Sequence, residues 1–494
     1  MSEQKSTRPK ARVPRGFRDR GAAEIAAERA CLDTIRRVFE SWGFEALETP
    51  AFEYTDALGK FLPDLDRPNE GVFSLQDEDG QWLSLRYDLT APLARYVAEN
   101  YQHLPKPFRR YQVGSVWRNE KPGPGRYREF TQFDADTVGS ASPAADAELL
   151  MMACDALEAV GLKQDEYIVK VSNRRFLNGI LDSLMIEPAR QGTVLRALDK
   201  LDRLGEHGVR ELLGPGRKDE SGDFTHGAGL SPSQIVLLID LVTKAPQHAS
   251  NRALIDLWTK TDPHLSILPD SPAAHAIVEL GHLTEILDKR GYRDRVQFDL
   301  GIIRGLEYYT SMVFEAQLTF PVTNEAGEEI VFGSVVGGGR YDDLVARFTG
   351  ERVPATGISI GVSRLLTALR QRRAQKLEPL VLVLALDKED RGSSFALAAE
   401  LRGAGLRAET YIGDAGMKAQ FKYADRRGAA VAIIEGTDER AKGEVTLKDL
   451  VMGAELAKSV ESRAAWVEGR PAQISVPRTE LVAKVRELLD RASH

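Results

Sequence analysis

The chain has 494 residues, of which 43% are hydrophobic and 28% charged, and its formal net charge is -7. This composition is ordinary for a soluble globular protein, and the length predicts about two to four domains. The acidic balance excludes a generally basic nucleic-acid coat but allows a local basic surface. Cys31 and Cys154 are the two cysteines, which excludes a disulfide framework and a cysteine zinc site and favours a reducing cytoplasm. No apolar run approaches the roughly 20 residues of a membrane-spanning helix, so we expect no membrane partner.

The N-terminal region combines a charged tail with an amphipathic helix. Residues 1–13 are basic with no apolar segment after them, which predicts a flexible tail rather than a secretory signal. Apolar residues then follow a helical period from about Ala22 to Trp42. Gly43 ends this predicted helix, and a short strand from Phe44 to Thr49 follows.

A predicted β-hairpin leads to two polar residues at a helix start. Its strands are Val72–Leu75 and Trp82–Tyr87, and Asp77–Gly80 forms the turn. Asp88 and Thr90 follow directly. They have two interpretations: ordinary helix-start residues, or acceptors for the ammonium group of a small substrate.

A second, longer hairpin spans Phe108 to Gly139. Predicted strands Tyr111–Trp117 and Glu129–Val138 flank a loop rich in Gly, Pro and charged residues. The charged residues of the loop are Arg118, Glu120, Lys121, Arg126 and Arg128. Guanidinium groups give forked donors for phosphate oxygens, so the loop is suited to a phosphate ligand. A solvated charged turn is the alternative interpretation.

The middle of the chain is predicted to be mainly structural. Ser142 and Pro143 are typical of a helix start, and Cys154 falls in the buried stripe of that helix, which favours a core role over a reactive thiol. A strand at Tyr167–Val171 is followed by a mainly helical stretch, residues 176–292, which contains a Gly-rich charged loop near Gly214–Gly227. Its scattered histidines predict no metal site.

A β pattern returns after residue 292 and carries a second group of candidate residues. Charged and aromatic side chains interrupt the apolar stretch Gly301–Ala316, namely Arg304, Glu307, Tyr308 and Tyr309. Because buried charge is costly unless paired, substrate contacts are plausible there. The glycines Gly337–Gly339 allow close approach of the backbone to a ligand. A strand-to-helix segment, Gly357–Leu369, carries Arg364.

The C-terminal region is predicted to be a separate small domain. Residues 371–379 form a charged linker that ends in Pro379. Strands alternate with helices beyond it, starting with the apolar strand Leu380–Leu386, which predicts an α/β domain. Without a nucleophile and base arrangement, this domain favours binding over chemistry.

Together these stretches resemble the histidyl-tRNA synthetases, a family of class II aminoacyl-tRNA synthetases, over almost the whole chain. GFEALETPAFE resembles class motif 1, WRNEKPGPGRYREFTQF resembles motif 2, and GISIGVSRLL resembles motif 3. RGLEYYTSMVFE (Arg304–Glu315) and GGGRYDDL (Gly337–Leu344) resemble the family's two histidine-specific stretches, and these distinguish the family within the class.

The resemblance implies an α/β multidomain fold: an antiparallel class II sheet flanked by helices, a helical insertion and a C-terminal α/β anticodon-binding domain. The implied bounds are 14–175 with 293–370 for the catalytic domain, 176–292 for the insertion and 380–494 for the anticodon-binding domain. It also implies a cytoplasmic homodimer that joins L-histidine to histidine tRNA with ATP through histidyl-adenylate. Magnesium accompanies the ATP, and no metal site of the protein's own is expected.

The resemblance also assigns roles to single residues. Arg118 and Arg304 are the implied catalytic residues, and both approach the α-phosphate. Glu120 places the adenine, while Arg126 and Arg364 hold the other ATP phosphates. The implied histidine-binding residues are Asp88, Thr90, Gln132, Asp136, Arg304, Tyr308, Tyr309 and Tyr341. Among these, Asp88 and Thr90 take the amino group, Gln132 lies near the carboxylate, and Asp136, Tyr309 and Tyr341 surround the imidazole.

Three residues depart from the family pattern. Asp88 and Asp136 stand where many members have the longer Glu, and Ser363 stands where an acidic residue usually precedes the motif 3 arginine. Two rival functions remain open at this point: a synthetase-like regulatory subunit of histidine biosynthesis, and another class II synthetase with a similar anticodon domain. The stretch Arg304–Tyr309 and the domain after Pro379 argue against the first rival.

Overall fold

The computed structural model describes residues 9–58, 71–123, 127–218, 222–244, 250–260, 270–303, 309–323, 329–330, 333–369, 378–387, 391–459 and 472–493. The chain divides into two compact units, Met1–Ala374 and Gln375–His494. No helix of the described residues is both long enough and apolar enough to cross a membrane. The narrower domain bounds expected from the sequence stay predictions.

The first unit is built on strands and helices that alternate along the chain. Its strands are β1 (Glu45–Ala46), β2 (Phe52–Tyr54), β3 (Ser74–Gln76), β4 (Trp82–Leu85), β5 (Phe108–Trp117), β6 (Glu129–Val138), β7 (Tyr167–Asn173), β8 (Gly216–Lys218), β9 (Phe224–His226), β10 (Val296–Phe298), β11 (Met312–Leu318), β12 (Val322–Thr323), β13 (Glu329–Ile330), β14 (Val336–Arg340) and β15 (Ala355–Gly361). Its helices are α1 (Ala22–Ser41), α2 (Thr90–Asn100), α3 (Pro143–Ala159), α4 (Arg174–Ser183), α5 (Pro188–Leu198), α6 (Leu201–Leu213), α7 (Pro232–Lys244), α8 (Asn251–Lys260), α9 (Pro272–Lys289), α10 (Ala346–Thr349) and α11 (Val362–Leu369).

An eight-stranded sheet is the centre of this unit, with strand order β1-β5-β6-β15-β14-β11-β7-β10. The six inner strands pair antiparallel, while β1 and β10 pair parallel at the two edges. The predicted antiparallel sheet is therefore confirmed, with parallel edge strands that the local patterns did not indicate. The long predicted hairpin is confirmed as β5 and β6.

Helices cover the apolar side of the sheet. Residues of α1 and α3, including Ile35, Phe39 and Leu150, are fully buried there with Phe133 of β6. Ser142 caps α3 by accepting the N–H of Ala144, as the sequence predicts. Both cysteines are buried in this core, so the predicted packing role of Cys154 is confirmed.

The mainly helical stretch shares that core. Buried apolar residues of α4 to α9 belong to the same continuous cluster as the sheet and α3. The predicted loop at Gly214–Gly227 is wrong in part, because β8 and β9 pair antiparallel there. Gly216 has φ +127° and an added Cβ would lie 2.4 Å from the Thr225 carbonyl oxygen, so its glycine serves the hairpin backbone.

The second unit is a separate α/β sheet. Its strands are β16 (Leu380–Val383), β17 (Ala408–Thr410), β18 (Ala429–Ile434), β19 (Glu444–Asp449) and β20 (Gln473–Pro477), in the order β17-β16-β18-β19-β20. Its helices are α12 (Arg391–Gly403), α13 (Met417–Arg427), α14 (Thr437–Lys442), α15 (Leu450–Ser459) and α16 (Leu481–Ser493). The predicted alternation is confirmed through β18, whereas the antiparallel strands β19 and β20 were not predicted.

Candidate active site

The floor of the site is one face of the large sheet. Residues two apart along a strand point to the same side, so strand register alone brings distant polar residues together. Three rows cross β5, β6 and β15 on this face: Arg110–Asp136–Gly357, Gln112–Asp134–Ser359 and Gly114–Gln132–Gly361. Two rows continue onto β14 and β11: Gly357–Gly339–Val313 and Ser359–Gly337–Glu315. The face therefore combines charged side chains with glycines that leave space above the sheet.

A cavity of about 370 Å³ opens on this face. The predicted residues that line it are Arg118, Glu120, Gln132, Tyr309 and Arg364. The sequence analysis did not single out other members of its wall, notably Glu315, Ser334 and Ser359. The structure thus brings arginines from the hairpin loop and from α11 to a single cavity. Arginines on two sides of one cavity suit a polyanionic ligand such as a nucleoside triphosphate.

The arginines of the cavity are held by backbone carbonyls and an aromatic ring. Arg118 Nε donates to the Tyr87 carbonyl oxygen at 3.2 Å, and its guanidinium lies 5.1 Å from the centre of the Phe130 ring. Arg364 Nη1 donates to the Ser334 carbonyl oxygen at 2.7 Å. Each guanidinium has five N–H donors in one plane, so these contacts orient the group beside the cavity that it lines.

Asp136 lies on the same face of β6 as Gln132, outside the cavity wall, and is 1% exposed. Tyr341 donates its hydroxyl proton to Asp136 Oδ1, and Arg110 Nη2 lies 2.8 Å from Asp136 Oδ2. An added Cβ at Gly357 would be 2.0 Å from Asp136 Oδ1, so a side chain there would displace the carboxylate. The structure therefore places Asp136 and Tyr341 together, as the sequence analysis expected, and adds a buried arginine.

The glycine-rich strand β14 serves packing more than the ligand. An added Cβ would lie 2.5 Å from the Phe314 ring at Gly338 and 2.8 Å from the Tyr309 ring at Gly339. At Gly337 its closest neighbour would be 3.9 Å away, and this residue lines the cavity. The expectation that all three glycines let the backbone approach a ligand is therefore wrong for Gly338 and Gly339, which make room for protein side chains.

Asp88 lies two residues before the first residue of α2 and its side chain binds the N–H groups at the helix start, which is the structural interpretation of this residue. Its Oδ1 accepts the N–H of Thr90 at 3.1 Å and of Ala91 at 2.9 Å. Burial raises the pKa of the Asp88 carboxyl, while these two N–H groups and the guanidinium groups of Arg118 and Arg110 oppose the rise. Cap bonds to one oxygen leave acceptor sites on the carboxylate, so the ammonium-binding role stays a prediction.

Ser363, a departure from the family pattern, joins α11 to the hairpin. Its Oγ accepts the N–H of Thr131 at 3.3 Å, and Thr131 Oγ1 donates to Oε1 of the buried Glu28. A carboxylate from α1 therefore lies next to the start of α11 although residue 363 is not acidic. Arg126, Arg304 and Tyr308 were also predicted site residues, and they lie outside the described residues.

The sequence analysis missed Arg110, Asp134 and Ser359. Arg110 and Asp134 are 0% and 1% exposed, and Gln132 Nε2 donates to Ser359 Oγ at 3.0 Å. A signal for them existed in the period of two, because Asp134 lies between Gln132 and Asp136 on a predicted strand. Within the described residues, Arg110 Nε and Nη1, Gln132 Oε1 and Asp134 Oδ1 are buried without a hydrogen-bond partner. Buried polar atoms of this kind are expected to meet a ligand or water.

The two buried carboxylates of β6 share one nearby cation. Burial, together with the charge of Asp136, raises the pKa of Asp134 to about 8, although Arg110 and the Ser359 hydroxyl oppose the rise. Burial also raises the pKa of Asp136 against the opposing effects of Arg110 and Tyr341. Like charges this close disfavour double ionisation, so Asp134 carries a proton at neutral pH.

This shift predicts a pH dependence of stability. Unfolded Asp ionises near pH ~4, whereas folded Asp134 ionises at about 8. Between these two pKa values the folded state binds one more proton than the unfolded state. The contribution of Asp134 to the free energy of unfolding therefore falls as the pH rises through this range, and it levels off above the folded pKa. We expect Asp134→Asn to remove this loss of stability. The melting temperature of the Asp134→Asn protein minus that of the unsubstituted protein is therefore expected to rise between pH 5 and pH 8. A difference independent of pH, measured by thermal unfolding of both proteins, would contradict the shift.

Comparison with known proteins agrees with this geometry. The family model described as histidyl-tRNA synthetase matches residues 16–365, and that described as anticodon binding domain matches residues 380–488. The histidine–tRNA ligase of Mesorhizobium japonicum is 52% identical over 98% of this chain and 97% of its own length. That of Rhizobium leguminosarum is 53% identical over 99% and 96%.

Solved structures show the same similarity. A crystal structure of histidyl-tRNA synthetase from Nostoc sp. superposes with a TM-score of 0.72 at 29% identity, covering 97% of this chain and all of that one. The family model covers well over half of the chain, and the curated relatives exceed half identity over nearly its full length. The chain therefore belongs to the histidyl-tRNA synthetase family.

Proposed function

We propose that this chain attaches L-histidine to histidine tRNA in two steps at the cavity described above. ATP and histidine first give histidyl-adenylate and pyrophosphate, and the activated carbonyl is then transferred to the terminal ribose of the tRNA. The observation that carries the proposal is the sheet face itself, which combines an arginine-lined cavity with a buried carboxylate and tyrosine. Family membership supports the same reaction.

For ATP, the proposed binding groups lie on both sides of the cavity. Arg118 contacts the α-phosphate and Arg364 the γ-phosphate, while Glu120 places the adenine. Arg126 and Arg304 belong to this proposal from the sequence resemblance alone. The chemistry is an attack of the histidine carboxylate on the α-phosphorus with loss of pyrophosphate, so fixed positive charge near the α-phosphate stabilises the transition state.

Magnesium is the proposed companion of ATP. The cavity wall contains the carboxylates of Glu120 and Glu315, and hard oxygen ligands of this kind fit Mg²⁺ together with phosphate oxygens. Glu315 is the carboxylate of the cavity wall that would contact the magnesium carried by ATP. Bound magnesium would neutralise phosphate charge and favour departure of pyrophosphate.

For histidine, the proposed contacts run along the sheet from α2 to β14. Asp88, Thr90 and Gln132 bind the amino and carboxylate end. Asp136, Tyr309, Tyr341 and, from the sequence resemblance, Tyr308 surround the imidazole. An apolar amino acid of similar size would offer no N–H to the acceptor position of Asp136 that the imidazole is proposed to fill, which gives selectivity by a lost hydrogen bond.

The second unit is proposed to bind the anticodon, and its removal separates the two reaction steps. Ending the chain at Pro379 is expected to reduce charging of histidine tRNA at least about tenfold more than histidine-dependent ATP–pyrophosphate exchange. The reason is that the described residues lining the proposed adenylate site all belong to the first unit. The tRNA is proposed to contact both units, so its affinity depends on both contacts. Charging and exchange are measured on the same preparations. Equal losses in the two assays would contradict a dedicated tRNA-binding unit.

Of the rival functions, that of a synthetase-like regulatory subunit of histidine biosynthesis is supported by similarity of fold alone. A Bacillus halodurans structure titled as an ATP phosphoribosyltransferase regulatory subunit/histidyl-tRNA synthetase superposes with a TM-score of 0.65 at 24% identity. Because the second unit matches an anticodon-binding family model, tRNA charging is the better supported function.

A cytoplasmic homodimer completes the proposal. The sheet β2-β4-β3 has one face with apolar side chains, and Phe52 and Tyr54 on it are 43% and 57% exposed. Leu75 shares this face because Tyr54 and Leu75 both pair with Leu83. An exposed apolar face next to motif 1 suits a second copy of the chain. Free buried thiols at Cys31 and Cys154 fit the reducing cytoplasm.

The dimer can be tested on this face. Replacing Tyr54 by Asp is expected to shift the protein from dimer to monomer at micromolar concentration, because burying an unpaired carboxylate in an apolar interface is unfavourable. Sedimentation velocity measures the change. Phe224→Asp on β9 serves as a control that adds the same charge at another exposed aromatic side chain of this unit, which is 54% exposed. A Tyr54→Asp protein that sediments like the unsubstituted one would show that this face is not the interface.

A further inference from the structure

Arg110 is a buried arginine that the proposed reaction does not yet use. Its side chain is 0% exposed, and it is the largest fully buried side chain of the described residues. Nη2 contacts two groups: it lies 2.8 Å from Asp136 Oδ2 and donates to the Leu89 carbonyl oxygen at 2.8 Å. Burying a guanidinium is costly unless it is paired. The two contacts of Arg110 therefore indicate which parts of the site its side chain supports.

The first contact bears on the imidazole end of the histidine site. Asp136 can accept an imidazole N–H strongly only while it is ionised, and burial opposes its ionisation. The groups that face it are Arg110 from β5, Asp134 on its own strand, Asp88 before α2, and Tyr341 after β14. Arg110 is the cation among these neighbours. Tyr341 donates to Oδ1, whereas Oδ2 pairs in charge with Arg110 but accepts no hydrogen bond from the described residues, so the carboxylate keeps acceptor positions for a ligand.

The second contact bears on the amino end. Leu89 lies between Asp88 and Thr90 and is the N-cap residue of α2. By holding the Leu89 carbonyl and the Asp136 carboxylate with the same nitrogen, Arg110 ties the start of α2 to the middle of β6. One buried side chain therefore sets the distance between the residues proposed to bind the ammonium group and the residue proposed to bind the imidazole.

We propose that Arg110 is a positioning residue for histidine: it keeps Asp136 ionised and fixes its distance from the start of α2. This inference rests on the proposed function of the cavity. Arg110 acts on histidine through Asp136 and Leu89, and we expect water to bind its Nε and Nη1, which have no hydrogen-bond partner among the described residues. A merely structural arginine would affect folding and both substrates alike, whereas this role predicts an effect on histidine that depends on Asp136.

The test measures the KM values for histidine and ATP in ATP–pyrophosphate exchange. Arg110→Met is expected to raise the histidine KM about 100-fold, which is the size of effect expected when one partner of a buried ion pair is removed and the other stays buried. The ATP KM is expected to stay within about threefold of normal. Arg110→Lys restores the charge and is expected to recover about tenfold of that loss, since lysine lacks the forked geometry. In an Asp136→Asn background, Arg110→Met is expected to add less than about twofold, because residues that act as a unit are not additive.

Arg295→Met is the matched control. Arg295 is also buried, pairs with a carboxylate, Glu158, and donates to a backbone carbonyl, that of Gly291, at 2.8 Å, but it precedes β10 at the edge of the sheet far from β5 and β6. Its substitution is expected to lower the melting temperature and leave the histidine KM within about threefold, because deleting a buried ion pair away from the site changes stability alone.

Several outcomes would overturn the inference. A folded Arg110→Met protein with an unchanged histidine KM would do so. The same would follow if Arg110→Met raised the histidine KM by an equal factor in the unsubstituted protein and in the Asp136→Asn background. If methionine at position 110 prevents folding, as thermal unfolding would show, Arg110→Lys decides: an unchanged histidine KM counts against the role, and a rise confined to histidine supports it. Exchange by the unsubstituted protein in the same assay reports separately on the proposed function.

Discussion

Replacing Arg118 by Ala is expected to slow histidyl-adenylate formation about 1,000-fold, the scale of removing one preorganised donor from a developing negative charge. Arg118 lies at the end of β5, lines the cavity, and is oriented by the Tyr87 carbonyl and the Phe130 ring. Charge accumulates on the α-phosphate oxygens as the histidine carboxylate attacks, and a fixed guanidinium stabilises that state more than the ground state. Rapid-quench measurement of adenylate under single-turnover conditions gives the rate.

Arg109→Ala provides the control for this prediction. Arg109 is on the same strand but on its opposite face, where it pairs with Glu148 at 3.2 Å. Its loss removes an equal charge from the hairpin without removing a group from the cavity. Adenylate formation within about threefold of normal is expected, as for a surface ion pair. If the two variants were slowed equally, overall charge rather than position would explain the effect.

Replacing Asp136 by Asn is expected to raise the histidine KM about 100-fold or more, with little change in the ATP KM. Asparagine keeps the shape but not the charge, and it leaves the buried Arg110 guanidinium without its carboxylate. Removing one partner of a buried ion pair is strongly unfavourable, and the imidazole loses a charged acceptor at the same time. Initial rates of pyrophosphate exchange over a range of histidine concentrations give the KM.

Asp146→Asn is the matched control for Asp136→Asn. Asp146 is also buried and pairs with an arginine, Arg340, at 2.8 Å, but it belongs to α3. We expect a lower melting temperature without a rise in the histidine KM, because Arg340 is on the opposite face of the sheet from Gly339 and Asp136, against α3. An Asp136→Asn protein that is folded and keeps a normal histidine KM would show that Asp136 does not read the imidazole.

The parts of the fold that depend on neighbours in sequence could be predicted from local pattern. The hairpin β5–β6, the helix start at Ser142 and the buried stripe around Cys154 all follow from residues a few positions apart. The edges of the large sheet could not be predicted in this way. Parallel pairing of β1 with β5 and of β10 with β7 joins segments far apart along the chain, and no local period encodes it.

The site shows the same division. Tyr341 and Asp136 are 205 residues apart, and Ser359 and Gln132 are 227 apart, so only the sheet register reveals their contacts. Family resemblance supplied Asp136 and Tyr341, but it passed over Arg110 and Asp134. Both could have been proposed from alternation along β5 and β6, because residues opposite Asp136 and two before it must share its face. Alternation does not predict burial, and it is burial that couples the ionisation of these charged groups.

The glycines of β14 illustrate a limit of composition as a guide. Three successive glycines suggest a backbone that approaches a ligand, yet two of them accommodate Phe314 and Tyr309. A glycine reports that something lies close, and only the packing shows whether it is a ligand or a side chain. The same glycines nevertheless serve the site, because the Tyr309 ring that they admit forms part of the cavity wall.

The most direct measurement is ATP–pyrophosphate exchange with the purified protein and each of the twenty amino acids in turn. The arginines of the cavity, together with Asp136 and Tyr341, predict exchange that depends on histidine and falls at least about 10,000-fold for amino acids lacking a polar ring, the discrimination expected when buried polar groups lose their partner. Folded protein that gives no exchange with histidine, or comparable exchange with another amino acid, would contradict histidine activation at this site.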